Sequence, residues 1–306
     1  MPKSKSHKKS GPPSRRSTTS RKTSITRRLQ LTGQKASAPL DLLRPGMPAL
    51  DSIHDDKTTF RPTKGGPTYR ILKTTETDTY ENTPTAVAFR TALSGQKQPD
   101  PSAVAAADQL STAKPGATGG PDDFAGADRK AAKLSIATAK PQTYADVSQL
   151  IATLPPIEQM VKLNISKDPT SNRVPLENRN IHVTGFLFAA SREADNDFHC
   201  IVGLDPKAGQ EMYMTMEVSG LPPTTDPAFT ALNTTRTAFK QFFISDKNLP
   251  GAGYHFYQPP IPLTADGSLF FDVTHSTGQA PGPPSLKSRM PTIWEVHPVT
   301  NIKLGP

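Results

Sequence analysis

Asn180–Ala189 reads NIHVTGFLFA. Ile181, Val183, Gly185 and Leu187 fall on every second position, the period of a strand with one face in a core. Its other face also turns apolar at Phe186 and Phe188. Working outward, the same period returns several times. A charged turn, Arg192–Asn196, leads into the apolar run Phe198–Leu204, and Met212–Val218 (MYMTMEV) alternates again. Asp226-Pro227 is an N-cap and N1 pair that opens a helix, with Phe229, Leu232, Phe239 and Phe242 spaced to face a core. Ile261–Leu263 and Leu269–Val273 flank Asp266-Gly267, a hairpin-type turn. Thr292–Val299 (TIWEVHPV) is a last strand, which Ile302 and Leu304 extend, with Trp294 and Val296 on its apolar side.

Three strands, a helix and two strands is the order of an OB-fold. The fold expected is therefore mainly β, a small five-stranded OB-like barrel with one helix over residues 175–304. Gly185 suits the coiling such a barrel needs. An open α+β sheet built of the same elements is the alternative.

Upstream the composition changes. Hydrophobic residues make up 34% of the 306-residue chain against the roughly 45–50% of ordinary domains, and Pro numbers 32. Fourteen of the twenty aromatics follow Ile181, leaving only Phe60, Tyr69, Tyr80, Phe89, Phe124 and Tyr144 before it. So few large apolar side chains can hardly offset chain entropy, which predicts a long, largely disordered leader. Residues 41–141 read as a Pro/Ala/Gly-rich linker with one short strand at 68–72 (TYRIL), able to dock as an added edge. Ala127–Ala137 reads as a transient helix at most. In 142–165, Thr143 looks like the N-cap of a helix over Tyr144–Leu154, and Pro155-Pro156 opens a second turn through Ile157, Met160 and Val161. These short amphipathic helices should pack on the domain.

Charge is more unevenly placed still. Residues 1–40 carry eleven basic side chains and no acid. They are Lys3, Lys5, Lys8, Lys9, Arg15, Arg16, Arg21, Lys22, Arg27, Arg28 and Lys35. Of 36 basic residues, 25 remain to face 27 acidic ones in the rest of the chain, so the net +9 belongs to the arm. Self-repelling and without an apolar face, residues 1–40 should form an extended arm that engages nucleic acid or another polyanion. The acid-poor start also resembles a transit peptide, but Gly11-Pro12-Pro13 breaks the amphipathic helix one requires. The arm has no secretory h-region and no stretch reaches the ~18–20 apolar residues of a membrane span, so a cytoplasmic protein is expected. Cys200 is the single cysteine, which excludes an internal disulfide framework and a thiolate-rich zinc site. Lying in an apolar run, it reads as a buried inert thiol.

No phosphate-cradling loop, nucleophile elbow or H-E-x-x-H occurs, and Glu193-x-Asp195-x-Asp197 lacks the Gly and distal Glu of a calcium loop. One polar cluster remains. Glu295 and His297 share a strand face opposite Trp294 and Val296, Asp272 and His275 end the neighbouring strand, and His199 closes the acidic turn. Two readings stand open: a metal or acid/base site of His199, Asp272, His275, Glu295 and His297, or structural hydrogen-bonded pairs.

VTGFLFAASREADNDFH, SLFFDVTH and TIWEVHPVT together resemble a domain of uncharacterised bacterial proteins, over residues 178–304. There a VTG strand leads to an acidic turn closed by His, and a strand ending FFD precedes a last strand of the form WE(V/I)HPV. The resemblance implies a small OB-like domain and no established activity. The function expected is thus a non-enzymatic binding protein without cofactor: arm on polyanion, OB-like domain as a ligand- or protein-docking module. The first alternative is a metal-dependent or acid/base enzyme centred on Asp272, His275, Glu295 and His297. The second is a structural protein whose arm binds an acidic partner or an anionic membrane.

Overall fold

The strand at Asn180–Ala189 extends to Arg192 and is the fourth of eight in one sheet. A computed structural model describes residues 46–78, 120–275 and 280–306, all within the unit Leu42–Pro306. Its strands are β1 (Ile53–Phe60), β2 (Tyr69–Thr74), β3 (Gln142–Tyr144), β4 (Asn180–Arg192), β5 (Phe198–Gly203), β6 (Tyr213–Val218), β7 (His255–Phe271) and β8 (Trp294–Leu304). The helices among the described residues are α1 (Lys130–Leu134), α2 (Val147–Ile151), α3 (Ile157–Val161), α4 (Phe229–Phe242) and α5 (Pro284–Lys287), so the fold is mainly β. Sheet order is β1-β2-β7-β8-β6-β5-β4-β3, and β7 also pairs with β4 from Asn180↔Ser268 to Ala190↔His255. No helix among the described residues is long and apolar enough to cross a membrane.

The alternation read from sequence sets the core. Ile181, Val183 and Leu187 meet Phe198, Cys200 and Val202 of β5, Met214, Met216 and Val218 of β6, and Trp294 and Val296 of β8. Helix α4 closes one side through Phe239, whose ring lies 4.8 Å from that of Phe198. The N-cap of α4 is Ala228 rather than the expected Asp226, which accepts from the Ala228 N–H at 2.8 Å in the turn before the helix. Cys200 is buried, and desolvation pushes its thiol pKa up to about 12, the inert thiol expected.

Four further expectations are corrected. First, the sheet has eight strands rather than five, because residues expected to be linker contribute to it. The stretch read as one short strand at 68–72 lies in β2, which pairs with β1 on one side and with β7 on the other. Phe60, Tyr69 and Ile71 enter the main core. A segment poor in apolar residues needs no core of its own when it docks on an edge that supplies both hydrogen bonds and an apolar face. Second, residues 120–141 form a strap along the domain, with Phe124 N–H bonded to Leu221 O at 2.9 Å and Ala125 N–H to Asp195 O at 2.8 Å. Third, Thr143 caps no helix. Gln142–Tyr144 is β3, parallel to β4, and α2 starts after Asp146, whose Oδ1 accepts from Ser148 and Gln149 N–H at 2.9 and 3.0 Å. Fourth, Asp266-Gly267 is not a turn, since β7 runs straight through it with register shifts against β8. A Cβ on Gly267 would lie 2.5 Å from Val296 Cγ1 and 2.7 Å from Pro298 O. The glycine answers to the close approach of β8 rather than to a reversal.

Candidate metal centre

Strands β5, β6 and β8 bury polar residues on the face turned away from Cys200, Met216 and Val296. The β5–β6 register sets His199 opposite Glu217, and the parallel β6–β8 contact sets Thr215 opposite Glu295. Strand alternation then carries His297 onto the same face as Glu295. Solvent does not reach it: His199 and His297 are 0% exposed, Glu295 1% and Glu217 2%. The cover is the strap, the turn Glu193–Asp197 and the segment Val273–His275 after β7. Arg129 anchors the strap through a buried fork to Glu177 at 2.7 and 2.8 Å and a bond to Phe271 O at 3.2 Å. Lys133 of α1 reaches Asp195 at 3.2 Å. Burial opposes the Lys133 charge, but Asp195, with Glu217, Asp197 and Glu295 near, holds its pKa well above the ordinary value.

His297 stands at the centre. Its Nε2 lies 3.4 Å from Asp197 Oδ2, and its Nδ1 lies 3.5 Å from Glu217 Oε2 and 3.7 Å from Glu295 Oε2. None of these contacts is a hydrogen bond: both His297 nitrogens, Asp197 Oδ2, Glu217 Oε2 and both Glu295 oxygens are buried without such a partner. Asp197 Oδ1, by contrast, accepts from Gly220 N–H at 2.6 Å, which fixes the carboxylate plane. Desolvation, with the cations Lys133 and Arg173 adding to it against Glu217, pushes the His297 pKa down to about 3, leaving a neutral ring with a lone pair to donate. Burial, then the neighbouring acids, pushes the Asp197 and Glu295 carboxyls well above the usual range. A bound cation would reverse that preference.

His199 behaves differently. Its Nδ1 lies 2.8 Å from Glu193 Oε1 and 3.4 Å from Glu217 Oε1. Burial disfavours its charge, yet Glu193 and Asp78 hold its pKa well above the ordinary value, so it is a counter-ion for the acids around it. Asp78 in turn accepts from the Tyr254 hydroxyl at 2.6 Å.

The five residues singled out from sequence thus lie along one face but separate into three groups. Within each, ligand atoms lie within 4.8 Å of one another: Asp78, Glu193 and His199; Asp197, Glu217 and His297; Asp272, His275 and Glu295. Sequence reasoning missed Glu217, although it is the single acid in the apolar strand MYMTMEV and its register opposite His199 could have been read. It set aside Asp197 with the acidic turn. Lys133 and Arg129 carried no signal, because their partners lie 62 and 48 residues away. The eleven basic residues of the arm lie outside the described residues. No family model, curated protein or solved structure matches the chain.

Proposed function

We propose that this chain is a metal-dependent hydrolase, with a divalent cation held by Asp197, Glu217 and His297 on an OB-like scaffold and the basic arm engaging a polyanion. One observation carries the reading: one ligand atom from each of Asp197, Glu217 and His297 lies within 4.8 Å of the others, and Asp197 Oδ2, Glu217 Oε2 and both His297 nitrogens are buried without hydrogen-bond partners. Groups left so cost roughly 1–3 kcal/mol each, more when charged, and a cation removes that cost. Two carboxylates and a neutral imidazole suit Mn²⁺ or Zn²⁺, and the absence of thiolate ligands fits the harder end of that range. Such a cation supplies a bound water of lowered pKa. Around it, Lys133 offsets the negative charge.

The OB-like scaffold is supported by the strand pairings. β4–β5–β6–β8–β7 run in sequence, β7 returns to β4, β6 and β8 are parallel, and α4 lies between β6 and β7. On that scaffold His199 and Glu217 lie on the second and third strands and Asp197 and Asp272 in the loops after the first and fourth, where OB-folds take their ligands, while Glu295 and His297 lie on the last strand. The polyanion reading rests on the arm's charge. A non-enzymatic binding protein would share that arm, and turnover separates the two.

The test is full-length protein stripped with EDTA, titrated with Mn²⁺ or Zn²⁺, and assayed on single-stranded DNA and on bis(p-nitrophenyl) phosphate. Hydrolysis should return with the metal and be lost in Asp197→Asn and His297→Ala. Metal binding without turnover would leave the binding-protein reading. Absence of metal binding in the wild-type chain would overturn the centre itself.

A further inference from the structure

One cation between Asp197, Glu217 and His297 leaves a neighbour unanswered. Glu295 is 1% exposed, and neither of its oxygens has a hydrogen-bond partner. Its Oε2 lies 3.7 Å from His297 Nδ1, a nitrogen that already faces Glu217 at 3.5 Å. On its other side Glu295 meets Asp272 and His275, the three ligand atoms lying within 4.8 Å of one another. Main-chain pairing fixes this convergence. Phe270 sits opposite Glu295 in the β7–β8 register, and Asp272 N–H reaches Ile293 O at 3.3 Å, so the end of β7 is held against the start of β8.

Asp272 is also locally oriented. Its Oδ1 accepts from Thr274 N–H at 2.9 Å, leaving Oδ2 to face His275 Nδ1. The Thr274 hydroxyl bonds Asp128 Oδ2 at 3.2 Å, which brings a further acid from the strap to this side. Asp272, Asp128 and Glu295 thus gather at one place beside His275. The Glu295 side chain is buried, unpartnered and turned into the group, as a ligand waiting on a cation would be.

We propose that Asp272, His275 and Glu295 hold a second divalent cation, with Glu295 standing between the two centres. This rests on the metal-centre reading above. Two carboxylates and an imidazole give it the same preference for Mn²⁺ or Zn²⁺ as the first site. A pair of neighbouring cations is the arrangement that clamps both the attacking and the leaving oxygen of a displacement at phosphorus.

The experiment is metal stoichiometry, with Mn²⁺ alone as the probe. Full-length protein is stripped, reloaded, desalted and measured for bound metal, alongside calorimetric titration. The wild type should bind two equivalents. His275→Ala, at a partly exposed position where folding is least at risk, and Asp272→Asn should each bind one; Asp197→Asn should also bind one. Two equivalents retained in His275→Ala, or a single wild-type equivalent lost only with Asp197→Asn, would overturn the second site and leave the first standing. No equivalents in the folded wild type, with circular dichroism as the check, would overturn both.

Discussion

Two histidines outside one another's reach show how burial sets chemistry residue by residue. Burial leaves the His297 ring neutral, and His255, at the start of β7, is neutral for the same reason. Desolvation, aided by Lys73 and His54, pushes its pKa from 6.5 to about 4. The folded chain thus refuses a proton that the unfolded chain accepts. The contribution of His255 is full above pH 6.5 and is lost as pH falls toward 4, by up to about 3 kcal/mol at roughly 1.4 per pKa unit. Urea denaturation of wild type and His255→Gln across pH 7 to 4 should show the gap between them close in the mutant's favour as pH falls; a constant gap would contradict the assignment. Trp294 is simpler. It is buried, 5.2 Å from the Phe271 ring, and its Nε1–H donates to Pro155 O at 3.0 Å. Trp294→Ala should cost about 3–5 kcal/mol in the same measurement. Trp294 was legible in the sequence because strand alternation is a local signal. Glu217 was half legible, as a lone acid in an apolar strand. Asp197's pairing with His297 was not, since it joins the β4–β5 turn to the last strand.

At the scale of elements, the strap of residues 120–141 decides whether the acid cluster is buried at all. Composition cannot reveal it: ADRKAAKLSIATAK has the look of linker, and its order comes from a few long-range polar anchors. Arg129 is the chief of these, bonded to Glu177, whose Oε1 also accepts from Phe271 N–H at 2.9 Å. Removing one partner of such a pair strands a buried charge, so Arg129→Met should destabilise the fold by about 3–5 kcal/mol. The mutant should also become susceptible to trypsin at Lys130 and Lys133; a stability and cleavage pattern equal to wild type would show that the strap is held by other contacts. The strands from β4 to β8 were legible through period and order, except that β7 was broken at Asp266-Gly267 and its first residues, from His255 to Pro260, were not read as strand. A glycine demanded by a crossing strand looks in sequence like one demanded by a turn. β1 and β2 were underestimated because edge docking leaves little trace beyond a few apolar residues such as Ile71.

For the whole molecule the governing feature is charge segregation, eleven cations in residues 1–40 beside a remainder holding 25 basic and 27 acidic side chains. If some six of those cations neutralise phosphates, log affinity for duplex DNA should fall against log salt with a slope of about −5. A chain starting at residue 42 should lose that binding; equal, salt-insensitive affinity in both chains would move the contact off the arm. On the proposed reading the arm serves the buried cluster, in which Asp197 Oδ2, Glu217 Oε2, both Glu295 oxygens and both His297 nitrogens lack hydrogen-bond partners. The measurement closest to that claim is an anomalous difference map from crystals of the full-length protein soaked in Mn²⁺. The account predicts a peak at metal–ligand distance, about 2.0–2.2 Å, from Asp197 Oδ2, Glu217 Oε2 and one nitrogen of His297. A map without a peak there, in which those atoms instead hydrogen-bond to one another or to ordered water, would contradict it.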